Sequence, residues 1–184
     1  MTAFLQGNLV SLRALESGDL LGNYSKWLDD ADVCRFNSHA TFPNNVRRMQ
    51  DYLTYAQTTT DAVILAIVLL EDGRHVGNVS LLGIDWIARS AEFAILIGEK
   101  DCWGKGVGGD VGRLVVEYGF NRLNLNRIHC GTSVHNQGMR GLAAKLRMRQ
   151  EGLRRQAMFK LGEYVDIVEY GVLRAEYYDA SVGD

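Results

Sequence analysis

Apolar residues recur along the chain at two spacings, one typical of helices and one typical of strands. Spacings of three and four residues predict a helix that Ser17 caps and that carries Leu20, Leu21, Tyr24, Trp27 and Leu28. The same spacing predicts further helices over 46–57, 111–119 and 137–147. Short apolar or alternating runs predict strands over 9–13, 62–70, 74–86, 90–98 and 128–134, and a closing strand pair within 153–174.

The order of these elements predicts an α/β fold. Asp72-Gly73 is a typical hairpin turn, so the three runs between 62 and 98 form an antiparallel meander. A glycine-rich loop and a helix follow before the next strand, which is the order of a crossover connection. We expect a mixed, mostly antiparallel sheet flanked by helices. Because one proline, Pro43, occurs and no linker or repeat divides the chain, residues 1–184 are predicted to form a single domain.

Charge, apolar runs and cysteine spacing indicate which classes of partner the chain can bind. The formal net charge of -2 gives no general basic surface for nucleic acid. The longest apolar run, 62–70, is far shorter than a membrane span. Cys34, Cys102 and Cys130 are widely separated, which suggests neither a disulfide framework nor a zinc site. We therefore predict a cytoplasmic protein with no nucleic-acid partner, no membrane partner and no metal.

Four glycines lie within the six residues 104–109, directly before a predicted helix. Gly104, Gly106 and Gly109 satisfy the G-x-G-x-x-G pattern of dinucleotide-binding folds, but the strand over 127–130 lacks the acidic residue that this fold needs. A nucleotide triphosphatase loop is excluded because Lys105 is followed by glycine instead of Ser or Thr. A bare surface turn is a further alternative, although so many glycines are costly to order. The favoured interpretation is an anion cradle at a helix N-terminus, with a pyrophosphate as its guest.

The stretch over 97–108, Ile-Gly-Glu-Lys-Asp-Cys-Trp-Gly-Lys-Gly-Val-Gly, resembles motif A of the GNAT acetyltransferases. That motif reads Arg or Gln, two residues, Gly, one residue, Gly or Ala. Trp103 stands at the Arg/Gln position, as it does in the branch that resembles the ribosomal-protein N-terminal acetyltransferases. Further phrases agree with the family in order and spacing: Leu12-Arg13, Val76-Gly77-Asn78, Ala91-Glu92-Phe93, Asn136 and Glu151-Gly152. The resemblance covers most of the chain.

The resemblance implies acetyl-CoA as co-substrate and two parallel strands that splay apart to admit its pantetheine arm. The residues implied at the strand edge are Ile95, Leu96 and Ile97. Those implied around the pyrophosphate are Trp103, Gly104, Lys105, Gly106, Val107, Gly108 and Gly109. Asn136 and Met139 are implied on the far side of the arm, although Asn136 also suits the cap of the next helix.

The resemblance also implies direct attack of an uncharged primary amine on the acetyl thioester. Glu92 is the first candidate for the group that takes the proton from the amine, with Asp85 and His129 as weaker alternatives. The family's proton-donating tyrosine is missing because Ala143 stands in its place, which leaves a water, the amine's own proton or Ser133. Positioning supplies about 7 to 11 kcal/mol and general acid catalysis roughly 3 to 5, so activity can survive this loss. An acyl-CoA-binding module with little catalysis stays open as an alternative.

The segment over 35–43 lies between the first two helices, where this family builds the wall of its acceptor site. Phe36, Asn37, His39 and Phe42 are the candidate substrate contacts, and an ordinary loop is the alternative. The expected acceptor is a small-molecule amine or a peptide, with an amino sugar ahead of a protein N-terminus. A homodimer is a compatible assembly.

Overall fold

The computed structural model of the chain describes residues 3–179, so the two ends of the predicted domain, 1–2 and 180–184, lie outside the described residues. The strands in this range are β1 Leu5–Gln6, β2 Val10–Ala14, β3 Val63–Leu69, β4 His75–Asp85, β5 Ser90–Ile97, β6 Arg127–Ser133, β7 Arg149–Lys160 and β8 Glu163–Leu173. The α-helices are α1 Tyr24–Asp29, α2 Val46–Thr58, α3 Val107–Asn121, α4 Gln137–Lys145 and α5 Arg174–Tyr178. Short 3₁₀ turns occur at Ser17–Leu21, His39–Thr41 and Lys100–Cys102.

All eight strands form one sheet in the order β1-β2-β3-β4-β5-β6-β8-β7. The first five pair with their neighbours in chain order and are antiparallel, and β3, β4 and β5 form the predicted meander. β5 and β6 are parallel because α3 crosses over between them. β8 then lies antiparallel between β6 and β7. The predicted fold class, a mostly antiparallel mixed sheet flanked by helices, is confirmed.

The two faces of the sheet are covered differently. The larger core lies beneath α3 and α4, where Val111 and Val115 of α3 pack on strand residues such as Phe93 and Ile128. Smaller clusters on the opposite face pack beneath α1 and α2. Because side chains alternate along a strand, Glu92 points away from the larger core and shares its face with Leu96, which packs in the α1 cluster.

The first helix differs from the sequence-based expectation. Ser17 is the first residue of the 3₁₀ turn instead of its cap, and Asp19 accepts a hydrogen bond from the Glu16 amide at 2.8 Å. The helical stretch then breaks at Gly22, whose backbone is extended, and α1 begins only at Tyr24. Leu21 is 90% exposed as a result. Strand β1 and helix α5 are two elements that the apolar pattern did not predict, because each is too short to show a period.

Candidate functional site

The parallel pair β5–β6 splays apart partway along its length. Its ladder holds three rungs, Ser90 with Arg127, Ala91 with Ile128 and Glu92 with His129. β5 nevertheless continues to Ile97 and β6 to Ser133. The two strand segments beyond the last rung therefore face each other across a gap, as expected for the family.

Backbone groups of β5 face this gap at alternate residues. The Gly98 amide donates to the Val76 carbonyl at 2.8 Å, so the backbone of Gly98 faces β4. Because antiparallel partners alternate in this respect, the N–H and C=O of Ile95 and Ile97 face the gap. Those of Leu96 face β4, and its side chain packs beside the α1 cluster. Of the three predicted edge residues, two thus offer backbone groups to the gap.

The glycine loop turns sharply between the end of β5 and the start of α3. Gly104 and Gly106 have φ angles of 74° and 88°, the left-handed region that glycine adopts without strain. Trp103 folds back along this turn, and its indole Nε1 donates to the Ile97 carbonyl at 2.9 Å. Lys105 is exposed at the tip of the loop, whereas Val107 is buried in the core. The loop is therefore tied to the end of the strand edge that faces the gap.

The N-terminus of α3 is suited to an anion. The residue that caps α3 is Gly106, which has no side chain. No capping side chain therefore accepts a hydrogen bond from the first amides of α3. A Cβ placed on Gly108 would meet only side-chain carbons, at 3.5 Å or more, and one placed on Gly109 would meet nothing within 4 Å. Packing within the protein therefore does not require glycine at either position. The open space at both positions leaves room for a close ligand, and the donors at a helix N-terminus suit a pyrophosphate.

Asp110, in the first turn of α3, holds this helix end to the N-terminal hairpin. Its carboxylate accepts hydrogen bonds from the amides of Leu9 at 2.8 Å and Val10 at 3.3 Å and from Arg113 at 3.1 Å. Burial disfavours the charged form, but the two amides and Arg113 outweigh it and hold the pKa of Asp110 below its usual value. Sequence reasoning missed this residue because its partners lie about 100 residues away.

Asn136 and Met139 lie on the far side of the gap, at the start of α4. Asn136 caps this helix, accepting from the Met139 amide at 3.1 Å and donating to the Thr132 hydroxyl at 3.1 Å. Asn136 therefore has the capping role that the sequence suggested for it. Ser133 is buried, and its hydroxyl oxygen accepts from the His135 amide at 3.2 Å. Its own proton remains available for donation.

Glu92 stands at the last rung of the parallel ladder, where the gap begins. Its neighbour across the rung is His129, whose side chain lies on the same face because residues paired in a parallel ladder point the same way. Glu92 is exposed and has no hydrogen-bond or ion-pair partner within residues 3–179. Asp85, the weaker alternative, accepts from the amides of Ile87 and Ala88 in the next hairpin turn. Glu92 is thus the carboxylate that is free at the opening.

The predicted acceptor segment lies on the sheet face that carries Glu92, since it connects α1 to α2. The side chain of Asn37 is hydrogen-bonded to nearby backbone: it donates to the Val33 carbonyl and accepts from the His39 amide. Phe42 is 63% exposed and stacks under the guanidinium of Arg48. Phe36 is half-buried.

His39 of this segment is influenced by a charge at the end of β7. Although His39 is accessible to solvent, surrounding protein atoms penalise its charged form and lower its pKa, and the charge of Lys160 acts in the same direction. Lys160 ends β7. The end of β7 therefore lies near enough to this segment for the charge of Lys160 to act on His39.

Ala143, at the position where the resemblance implies a tyrosine, is fully buried in the larger core. Cys130 is equally buried, and desolvation raises the pKa of its thiol to about 12. Such a thiol is not a nucleophile at neutral pH. The site thus offers a carboxylate and a serine hydroxyl, and it offers no reactive cysteine.

Helix α1 contacts the segment that leads into the glycine loop, which sequence reasoning did not anticipate. Glu99 accepts from the indole of Trp27 at 3.0 Å and from Asn23 at 2.8 Å. Trp27 also covers Gly98, where a Cβ would lie 1.9 Å from its ring. The G-E pair at 98–99 is visible in the sequence, but its partner is identified only by the fold.

Within residues 3–179, no helix is long and apolar enough to cross a membrane. The same range contains no group of three or more His, Cys, Asp or Glu side chains placed to hold a metal ion.

Comparison with known proteins decides the family. A model described as an acetyltransferase (GNAT) domain matches residues 10–149, which is more than half of the chain. The chain belongs to the GNAT family. Its enzyme class is that of the acetyl-CoA-dependent N-acetyltransferases, and the resemblance noted on motif A is confirmed.

Curated relatives of this GNAT protein carry several substrate names. It is 28% identical to a spermidine N(1)-acetyltransferase of Escherichia coli K12 over 91% of this chain and 88% of the relative. It is 32% identical to a putative ribosomal N-acetyltransferase of Bacillus subtilis, but this match covers 59% of each chain. A solved spermidine N-acetyltransferase from Vibrio cholerae, in complex with CoA and spermine, superposes with a TM-score of 0.82 at 24% identity, covering 93% of this chain and 99% of that one. That last likeness shows the fold.

Proposed function

We propose that this GNAT protein transfers the acetyl group of acetyl-CoA to a primary amine of a small molecule, with Glu92 receiving the proton of the amine. The observation that carries the proposal is the place of Glu92. Among the described residues this carboxylate has no partner, and it lies at the last rung of the β5–β6 ladder, where the gap between the strands opens. The amine is expected from the sheet face that carries Glu92.

The residues around the gap fit a coenzyme A molecule. The amides of Val107, Gly108 and Gly109 would receive the pyrophosphate, with Trp103, Gly104, Lys105 and Gly106 shaping the turn before them. Backbone groups of Ile95 and Ile97 would pair with the pantetheine amides, while Leu96 supports the strand from behind. Asn136 and Met139 would bound the arm from α4. The bound group supplies an activated acetyl thioester.

The protein's own contribution is to hold the amine and to handle its proton. Glu92 accepts that proton directly or through a water, because a carboxylate without a partner can act as a base. Ser133 is the candidate hydrogen-bond donor to the leaving thiolate, since its hydroxyl accepts one hydrogen bond and keeps its own proton; the thiolate then takes up a proton from solvent. Holding the two reactants in position supplies about 7 to 11 kcal/mol, more than the roughly 3 to 5 kcal/mol of general acid catalysis.

Within this proposal, an amino sugar is favoured as acceptor and a protein N-terminus is second. Phe36, His39 and Phe42 would contact the acceptor from the segment between α1 and α2, with Asn37 holding that segment in place. Polyamines belong in the same panel because of the spermidine acetyltransferases among the relatives. We also propose a homodimer, which sedimentation of the purified chain would test.

The test is acceptor-dependent release of free thiol from acetyl-CoA across amino sugars, peptides and polyamines. We expect at least one class to release thiol. We expect Glu92→Gln to lower kcat by roughly 10²- to 10⁴-fold and remove its acid-side pH dependence, with CoA affinity close to wild type. Glu117→Gln, a carboxylate in an exposed ion pair on α3, is the matched control and should retain wild-type rates. A wild-type pH profile for Glu92→Gln would remove this residue from the reaction, and no thiol release with any acceptor would contradict the proposal as a whole.

A further inference from the structure

The sheet face that carries Glu92 also contains a glycine in each of two neighbouring strands, Gly131 of β6 and Gly171 of β8. Glycine weakens a strand interior and often marks a close approach of other atoms. A Cβ on Gly131 would lie 3.0 Å from Glu169 Oε1 and 3.3 Å from a terminal nitrogen of Arg154. A Cβ on Gly171 would meet a second arginine and glutamate, Arg127 and Glu151. Each of these glycines therefore leaves room for an ion pair that lies across the sheet.

Each of the two ion pairs consists of one arginine and one glutamate. Arg154 Nε lies 2.5 Å from Glu169 Oε1 above Gly131. The guanidinium of Arg127 contacts both carboxylate oxygens of Glu151 above Gly171. Each pair is close to neutral as a unit, yet each presents N–H donors next to carboxylate acceptors.

The pairs lie next to the reaction site. His129 is the neighbour of Glu92 across the parallel rung, and Gly171 is the neighbour of His129 across the next ladder. Gly131 is two residues further along β6, in the part of the strand that has separated from β5. Since strands are spaced by about 4.8 Å, both glycines lie within about two to three strand spacings of Glu92. The pair over Gly131 borders the gap itself.

The chemistry of this surface distinguishes between acceptors. A polycation is recognised by carboxylates that keep their charge, but Glu169 and Glu151 are each neutralised by an arginine. A hydroxyl group both donates and accepts, so adjacent hydroxyls match a guanidinium and a carboxylate side by side. Arg154 is 63% exposed and has further N–H groups, so it can donate outward while it holds Glu169.

We propose that the Arg154–Glu169 pair over Gly131 binds the hydroxyl groups of a polyhydroxylated acceptor whose amine is held at Glu92. The acceptor is then an amino sugar and not a polyamine. This inference rests on the proposed acetyl transfer at Glu92, and it adds the residues that determine specificity. Arg154 and Glu169 are specificity residues that take no part in proton transfer.

The experiment compares acceptors with and without hydroxyl groups. Monosaccharides that carry an amine at C2, C3 or C4 are measured beside cyclohexylamine, a ring amine without hydroxyls, and spermidine. The wild type should use at least one amino sugar better than cyclohexylamine. Glu169→Gln and Arg154→Met should each lower kcat/KM for that sugar by roughly 10- to 100-fold, mainly through KM, because each removes a charge-assisted hydrogen bond. Cyclohexylamine should change by less than about threefold.

A third variant perturbs the pair without changing any charge. Gly131→Ala places a Cβ 3.0 Å from Glu169 Oε1 and displaces the pair, so it should reproduce the selective loss on the amino sugar. Glu117→Gln, in the exposed ion pair with Arg113 on α3, is the control and should change neither acceptor. Thermal unfolding of each variant shows that the fold is retained.

Three results would overturn the inference. The first is an equal loss on the amino sugar and on cyclohexylamine, and the second is no loss on either. The third is a wild type that acetylates spermidine in preference to every amino sugar. In all three the acetyl transfer itself is observed, so they leave the proposed function standing. Absence of thiol release with every amine contradicts the proposed function instead.

Discussion

Replacing Gly108 tests the pyrophosphate cradle in a way that separates ligand binding from folding. Gly108 is the second residue of α3 and has an ordinary helical backbone, unlike Gly106 with its φ of 88°. A Cβ at this position would meet only ordinary van der Waals contacts, the nearest being Ile97 Cδ1 at 3.5 Å. Substitution should therefore leave the fold intact.

The expected magnitudes have opposite signs for stability and for affinity. Gly108→Ala should stabilise the helix by roughly 0.5 to 1 kcal/mol, because glycine loses more backbone freedom on folding than alanine does. Gly108→Glu adds an anion at the helix N-terminus, which favours the ligand-free protein by about 0.3 to 1 kcal/mol. The same carboxylate about 4 Å from a phosphate charge, at an effective dielectric constant of about 20, costs about 4 kcal/mol. CoA should therefore bind roughly 10³-fold more weakly.

Calorimetric titration with CoA and thermal unfolding measure the two quantities on the same samples. Gly108→Gln separates bulk from charge, because it has the size of the glutamate without its anion. Gly18→Glu, at an exposed turn where a Cβ meets nothing within 4 Å, is the control and should bind CoA as the wild type does. Wild-type CoA affinity in Gly108→Glu would refute the placement of the pyrophosphate on this helix.

Two further predictions concern stability. Asp110→Asn should cost about 1 to 3 kcal/mol in chemical denaturation at pH 7, because the carboxylate binds two amides and Arg113. Since the pKa of Asp110 is lowered on folding, this stabilisation is present above pH 3.8 and is lost as the pH falls through the folded pKa, so a difference that does not shrink in acid would contradict it. Gly98→Ala should lower the melting temperature by about 2 to 10 °C, since its Cβ would lie 1.9 Å from the Trp27 ring, whereas Gly152→Ala, with open space around it, should not. Equal melting temperatures for these two variants would show that Trp27 moves aside freely.

Most of the fold was predicted from patterns of residues close together in the sequence. The Asp72-Gly73 turn and the apolar runs on either side of it could be read directly, because a hairpin is specified by neighbouring residues. The glycine loop could also be recognised from the sequence. Two of its residues, Gly104 and Gly106, have left-handed backbone, which favours glycine. The first helix was predicted as one element because Leu20, Leu21 and Trp27 fit its period, and the break at Gly22 outweighed that period.

The parts of the site that sequence could not indicate depend on long-range register. Arg154 and Glu169 are 15 residues apart, and Arg127 and Glu151 are 24 apart, so their pairing follows from how β6, β7 and β8 lie together. The glycines beneath them are single residues within otherwise ordinary strands, which carry no signal until their neighbours across the sheet are known.

The three rungs between β5 and β6 also affect the kinetics of folding. β3, β4 and β5 pair across short turns, whereas β6 reaches β5 only after the 15-residue helix α3 has crossed the sheet. Contacts between residues far apart in sequence form slowly because a long loop must close first. The rung that joins Glu92 to His129 is therefore among the late contacts, and a chain that has completed only its N-terminal meander contains sheet but no reaction site. During refolding, acetyl transfer should therefore return after the β3–β5 meander has formed, and it reports on a long-range step of assembly.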